Sequence, residues 1–406
     1  MRKLQLYKKL TCLSSYLAIG LVLAFCGCVE EIELNTESFE RILVIEGTIT
    51  NEYKKHEILL SNSFEFEEDG PAFESGALVQ VLVDGTPTYT FTEDSPGTYL
   101  STQAFEAQPD IEYTLYIQTQ DGREFSSTPE QLTPVSEISE VNAIAETTGL
   151  GENGVSIQVS NVSPTGNANY FRFEYEETYK IIAPLWRYNE LIAEDEEDPE
   201  NCNVIKTVKQ QEERICYNTE SSIEIIVTET LSLEQDQLSN FEVKFIKKDN
   251  TIIAHRYSIL LKQFVITSNA YNYFKKRNEL SEEGNLFFQI QSGFVEGNLN
   301  SISSPNEKVI GFFSVSAVSQ LRYFFNWDDL FPGEPYPIIP CQVSSPPLLS
   351  RAGLCYLSTF VTSNRVKYYE DNLEPQPGEG PYKVVRRECG DCTASGTNVE
   401  PDFWID

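Results

Sequence analysis

Ala77-Leu-Val-Gln-Val-Leu-Val83 and Glu112-Tyr-Thr-Leu-Tyr-Ile-Gln-Thr119 decide the fold class of this chain. In the second stretch Tyr113, Leu115 and Ile117 fall on one face and Glu112, Thr114 and Gln118 on the other. A period of two belongs to a half-buried strand and not to a helix. The same alternation recurs outward in both directions. It predicts strands at Arg41–Thr50, Glu57–Ser63, Ala77–Val83, Thr88–Thr92, Thr98–Ser101, Glu112–Thr119 and Glu124–Ser127. Asp84-Gly85, Ser95-Pro96-Gly97 and Asp121-Gly122 supply the turns. Seven short strands within about 90 residues are the density of an immunoglobulin-like β-sandwich, expected here over 39–128.

Thr128-Pro-Glu-Gln-Leu-Thr-Pro134 reads as a linker, because two prolines interrupt strand pairing. A second β-rich domain is expected over 129–406, with strands at Gly154–Val159, Tyr170–Tyr179, Ile223–Thr230, Phe241–Lys247, Ile252–Thr267, Lys308–Phe325 and Tyr382–Arg387. One α-helix is expected within it, at about 268–283. Thr267 or Ser268 can cap it, Ala270, Tyr273, Phe274 and Leu280 form its apolar face, and Gly284 can end it. The fold class is therefore mainly β. Phe331–Pro347 is proline-rich and reads as an irregular surface segment.

The N-terminus reads as an export signal. Arg2, Lys3, Lys8 and Lys9 precede a charge-free, mostly apolar run from Leu10 to Phe25. That run is short for a spanning helix and fits the core of a signal peptide, expected over 1–27. It ends at Phe25-Cys-Gly-Cys28. A small residue before a cysteine resembles the bacterial lipobox, which makes Cys28 the expected lipidation site. Phe25 departs from the leucine usual at that position. Residues 28–38 form a tether, and its Val-Glu-Glu-Ile-Glu start resembles a surface-export tag; a plain solvated acidic linker is the alternative. Acyl chains contribute about 0.8 kcal/mol per buried methylene, so a multiply acylated cysteine anchors stably.

The chain has 406 residues, 30 basic and 62 acidic, for a net charge of −32. Loss of the leader's four basic residues takes this to −36. Such a charge disfavours nucleic acid, whose phosphates need clustered Lys and Arg. Only two histidines are present, His56 and His255, which removes most histidine-based catalysis and metal binding. His255 is expected to be a hydrogen-bonded structural residue in a strand, and His56 a solvated one near a turn. No Gly-x-Ser-x-Gly elbow occurs. The acidic run Glu194–Asp198 lacks the alternating ligand spacing of a calcium loop and reads as solvated. No residue stands out as catalytic, and no cofactor or metal is expected.

Six cysteines remain once Cys12 and Cys26 leave with the leader and Cys28 takes lipid: Cys202, Cys216, Cys341, Cys355, Cys389 and Cys392. An even number in an exported chain points to disulfides. Spacing favours Cys202–Cys216. The other four can pair within each couplet or cross from 341/355 to 389/392. Cys389-Gly-Asp-Cys392 is followed by a loop, not by the helix a thioredoxin-type centre requires. A four-thiolate zinc site from Cys341, Cys355, Cys389 and Cys392 is the other alternative. The disulfide reading makes the C-terminal tail a clasp. Phe403 and Trp404 either anchor a partner or pin the tail to its own core.

Several stretches in order also resemble a known family. They are Val44-Ile-Glu-Gly-Thr-Ile-Thr50, Gly76-Ala-Leu-Val79, Arg256-Tyr-Ser-Ile-Leu-Leu-Lys-Gln263, Ala270-Tyr-Asn-Tyr273, Glu296-Gly-Asn298, Val309-Ile-Gly-Phe-Phe-Ser314, Cys389-Gly-Asp-Cys-Thr393 and Pro401-Asp-Phe-Trp404. Together they look like the Bacteroidota lipoproteins grouped as domain of unknown function 4249. The resemblance implies an outer-membrane lipoprotein, often encoded beside a TonB-dependent transporter, with no established activity. The expected function is a non-enzymatic surface lipoprotein serving as an accessory or substrate-capturing subunit of a TonB-dependent barrel. The alternatives are a free-standing adhesin or envelope structural protein and, third, a carbohydrate-active enzyme using paired carboxylates.

Overall fold

The computed structural model describes residues 41–64, 70–164, 166–194, 202–231, 237–282 and 295–406. The leader, Cys28, the tether, Asp195–Asp198 of the acidic run and Gly284 lie outside the described residues. The chain is mainly β, as the alternation predicts.

The seven N-terminal strands form within a residue or two of their expected places, apart from Thr86–Ser95, which extends past the expected Thr88–Thr92 at both ends. Asp84 and Gly85 both take positive φ, 47° and 77°, as a two-residue hairpin turn with the twist of its strands requires. Inward-facing Val79, Val81, Tyr113, Leu115 and Ile117 are essentially inaccessible to solvent and belong to one apolar core. The hydrogen bonding differs from an immunoglobulin-like pair of separate sheets. It runs through one ten-stranded sheet, nine strands in a single path and Glu130–Gln131 branching off beside Glu112–Gln118.

That sheet is not complete within 39–128. Leu299–Ser301 pairs with Glu124–Ser127 at one edge, and Val309–Ser316 pairs in parallel with Leu43–Thr50 at the other. The side-chain amide of Asn298 then links the two edges. Its Oδ1 accepts from Phe313 N–H at 2.8 Å and its Nδ2 donates to Phe313 O at 2.8 Å. The amide thus imitates a backbone ladder pair and satisfies both backbone groups of Phe313. Nδ2 also donates to buried Glu130.

The expected linker is built into the structure. Glu130–Gln131 pairs with Glu112 and Tyr113. The buried Thr133 hydroxyl donates to Val265 O and accepts from Ala317 N–H. The single strand expected over Lys308–Phe325 divides at Ala317 into Val309–Ser316 of the N-terminal sheet and Val318–Asn326 of the next sheet. The two halves of the chain are therefore one unit over Ile42–Phe64 and Asp69–Asp406.

The second sheet has Tyr170–Ile182 at its centre, flanked by Ile215–Ser221, Arg256–Val265 and, beyond the latter, Val318–Asn326. A three-stranded sheet of Glu137–Thr147, Asn153–Val162 and Phe241–Lys247 supplies Val141, Val155, Ile157 and Ile246 to the apolar core shared with Phe171, Phe173, Ile259 and Leu261. Within this region Glu177 is buried, with Lys244 Nζ at 2.6 Å and the Tyr257 hydroxyl donating at 2.6 Å. Both charges are paired and hydrogen-bonded, as burial demands.

The helix α1 spans Ser268–Glu282, within one residue of its expected bounds. Thr267 Oγ1 accepts from Ala270 N–H, a capping bond. Ala270 and Tyr273 are buried, with Phe274 and Leu280 packed beside them, so the predicted apolar face is the packed one.

Candidate functional site

The C-terminal residues form a cross-linked layer on the second sheet. The disulfides are Cys202–Cys355, Cys216–Cys392 and Cys341–Cys389. The pairing Cys202–Cys216 expected from spacing is not formed. Cys216 lies in the strand Ile215–Ser221, held against Ile181 in the second sheet. Cys202 instead precedes Val204–Val208, whose hairpin with Asn189–Ala193 packs with Leu357, Tyr368 and Val384. The two cysteines are drawn to different cores, and each meets its partner there. Cys389 and Cys392 bond to different partners, so neither a redox dithiol nor a four-thiolate zinc set exists. The crossing expected between 341/355 and 389/392 occurs as Cys341–Cys389. In the chain-entropy picture, a link across 176 residues contributes about 5 kcal/mol.

Asp391, between the two C-terminal cysteines, carries the polar part of the clasp. It is 1% exposed. Lys367 Nζ lies at 2.9 Å and Arg387 Nε at 3.2 Å, while Thr393 donates both its N–H and its hydroxyl. Burial raises the carboxyl's pKa, but the Thr393 and Lys367 hydrogen bonds outweigh it, leaving Asp391 below its ordinary value. The motif's Asp is a structural anion.

The tail closes on its own core. Trp404 is buried, edge-on to Tyr217 and Phe324. Phe403 lies under the Arg322 guanidinium, 3.5 Å from the ring centroid. Trp404 is thus packed on the chain's own core, and Phe403 is half-buried beside it.

The histidines also differ from expectation. His56 is 1% exposed, not solvated. Its Nε2 lies 2.9 Å from Phe105 O, and its Nδ1 is buried without a hydrogen-bond partner. Burial is the main reason its pKa falls to about 4. His255 sits just before Arg256–Val265 rather than in the strand, and its ring meets Tyr336 at 5.1 Å instead of a hydrogen-bond partner.

His255 and Tyr336 open onto a surface trough of about 350 Å³, between the second sheet and the proline-rich segment. Ile182, Ile252 and Ile338 give it apolar walls, and Arg214 and Lys180 bring positive charge. Lys180 is paired with Asp406 at 2.8 Å, whereas Arg214 is exposed and makes no ion pair among the described residues. Burial first, then Lys180, lowers the His255 pKa, keeping the imidazole neutral. Tyr179 also lines the trough; burial pushes its hydroxyl up to about 12. Ser395 lines it too, with no hydrogen bond to His255. Concave, mostly apolar spaces with a few converging polar groups are the usual form of small-ligand sites. Sequence reading missed this one, because Phe331–Pro347 carries no periodicity that would place Tyr336 and Ile338 against the sheet. Among the described residues no group of His, Cys, Asp and Glu is arranged to hold a metal ion, and no helix is long and apolar enough to cross a membrane.

The arrangement defines a mainly β, disulfide-clasped protein with an apolar-walled trough on its C-terminal layer. The chain belongs to the family described as Domain of unknown function (DUF4249), whose profile matches residues 29–322. Cys202 and Cys216 lie within that matched span, and Cys341, Cys355, Cys389 and Cys392 lie beyond it. No curated protein matches the chain. A solved structure titled "Biofilm associated protein - BSP domain" aligns at 9% identity with a TM-score of 0.14, covering 69% of this chain. The alignment spans 58% of that structure's chain.

Proposed function

We propose that the chain is a non-enzymatic surface lipoprotein, anchored through Cys28 in the outer membrane, that acts as an accessory or substrate-capturing subunit of a TonB-dependent transporter. The leader and its Gly27-Cys28 junction support the anchor. Three disulfides between distant segments suit an oxidising compartment. The trough is the observation that carries the capturing role. Its apolar walls, unpaired Arg214 and neutral His255 fit an amphiphilic small molecule with an acidic end. The family resemblance supplies the transporter as company. Of two histidines, His56 is committed to packing, which leaves little acid–base chemistry for an enzyme.

The test is a mild-detergent pull-down of the tagged chain from its own outer membrane, followed by mass spectrometry. A stoichiometric TonB-dependent barrel is expected. A lipoprotein recovered without a barrel contradicts the reading and returns the adhesin to first place.

A further inference from the structure

A second cavity, of about 200 Å³, lies where α1 meets the strands Leu43–Thr50 and Tyr170–Ile182. Two of its lining residues carry buried polar atoms with no close hydrogen-bond partner among the described residues, the Nε of Arg172 and the hydroxyl of Tyr273; Arg277, also in the lining, is the cation that acts on that hydroxyl. Buried donors are nearly always satisfied, so an unmet pair at one cavity calls for an occupant. Tyr273 is 4% exposed. The Arg172 guanidinium is fixed in place. Its Nη1 donates to Glu174 Oε1 at 2.5 Å, and its plane packs on Phe264 and Phe274 at 4.6 and 4.9 Å. The free Nε–H is therefore presented in one orientation. Phe274 and Phe312 add apolar wall. Glu174 pairs with Nη1 and leaves the Nε–H unengaged; of the cavity's other charges, Arg277 pairs with Glu46 at 3.2 Å, and Glu224 is exposed.

We propose that this cavity binds a small carboxylate-bearing molecule, its oxygens taken by the Arg172 Nε–H and the Tyr273 hydroxyl and its apolar body by Phe274 and Phe312. A charge-assisted bond from a planar guanidinium favours a carboxylate oxygen over a neutral carbonyl. The site stands apart from the trough, and its occupancy does not depend on any transporter partner.

Calorimetric titration of the purified full chain with acetate, benzoate and the neutral benzamide tests this. Saturable binding of a carboxylate is expected, with benzamide at least roughly tenfold weaker than benzoate. Tyr273→Phe and Arg172→Lys should each weaken carboxylate binding roughly tenfold. Tyr273→Phe should leave the unliganded melting temperature unchanged or higher, because it removes an unpartnered buried hydroxyl. That variant keeps the test meaningful if Arg172→Lys disturbs the aromatic packing. Binding of neither carboxylate means water alone fills the cavity and overturns the proposal. Equal binding of benzoate and benzamide, or unchanged affinity in Tyr273→Phe, overturns it as well.

Discussion

His56 shows how one side chain can set the acid limit of the molecule. With Nε2 donating to Phe105 O, the Nδ1 lone pair faces the interior unpaired. Protonation would turn Nδ1 into a buried donor with no acceptor, so the folded chain resists it and the pKa drops to about 4. In the unfolded chain the same group titrates near 6.5. Above that value neither state binds the proton and His56 takes nothing from stability. Between about 6.5 and 4 only the unfolded chain binds it, so stability falls as pH falls through this window, by about 3 kcal/mol at most. Carboxylates titrate in the lower half of the same window, so a difference is needed. Melting curves of the wild type and His56→Gln from pH 7 to 4 should diverge, with the variant losing less. Parallel curves would show that His56 carries no linkage. Little of this was legible in Glu52-Tyr-Lys-Lys-His56-Glu57, a polar stretch that reads as solvated. The burial comes from Phe105, far along the chain, whose ring lies 4.6 Å from the imidazole.

At the scale of elements, strands and helix were the legible part. Period two placed the N-terminal strands and the Phe241–Lys247 strand, and a 3.6-residue stripe with a threonine cap placed α1. Three kinds of feature were hidden. The proline-flanked Thr128–Pro134 looked like a linker because its partners, Tyr113, Val265 and Ala317, are remote in sequence. Lys308–Phe325 looked like one strand because a change of sheet at Ala317 leaves its hydrophobic pattern unbroken. The short edge strand Leu299–Ser301 is too brief for periodicity. Asn298, immediately before that strand, links the two edges of the N-terminal sheet. Asn298→Asp keeps the size but replaces the two Nδ2 donations to Phe313 O and Glu130 with a second carboxylate beside a buried one. Burial already raises the Glu130 pKa. We expect the variant to lose about 2–4 kcal/mol at pH 7 in urea unfolding. The loss should shrink as pH falls and the carboxyls take up protons. A loss below about 0.5 kcal/mol would mean the edges are held together without this amide.

At the scale of the whole molecule, an N-terminal sheet completed by Leu299–Ser301 and Val309–Ser316, a shared junction at Ala317 and three long-range disulfides make one unit of Ile42–Phe64 and Asp69–Asp406. The proposed lipid at Cys28 and the trough in the C-terminal layer together motivate the proposal of a part that holds a ligand beside a membrane protein. The cysteines foretold a clasped tail but not the partners of Cys202 and Cys216, because pairing follows which core each strand joins, not the number of residues between thiols. Nor could composition locate the trough. Intact cells treated with a membrane-impermeant lysine crosslinker, with the linked peptides read by mass spectrometry, test surface display and barrel contact together. The account predicts links from this chain to the outward-facing loops of one TonB-dependent barrel protein. Links only to periplasmic proteins, or links to surface proteins with no barrel among them, would contradict it.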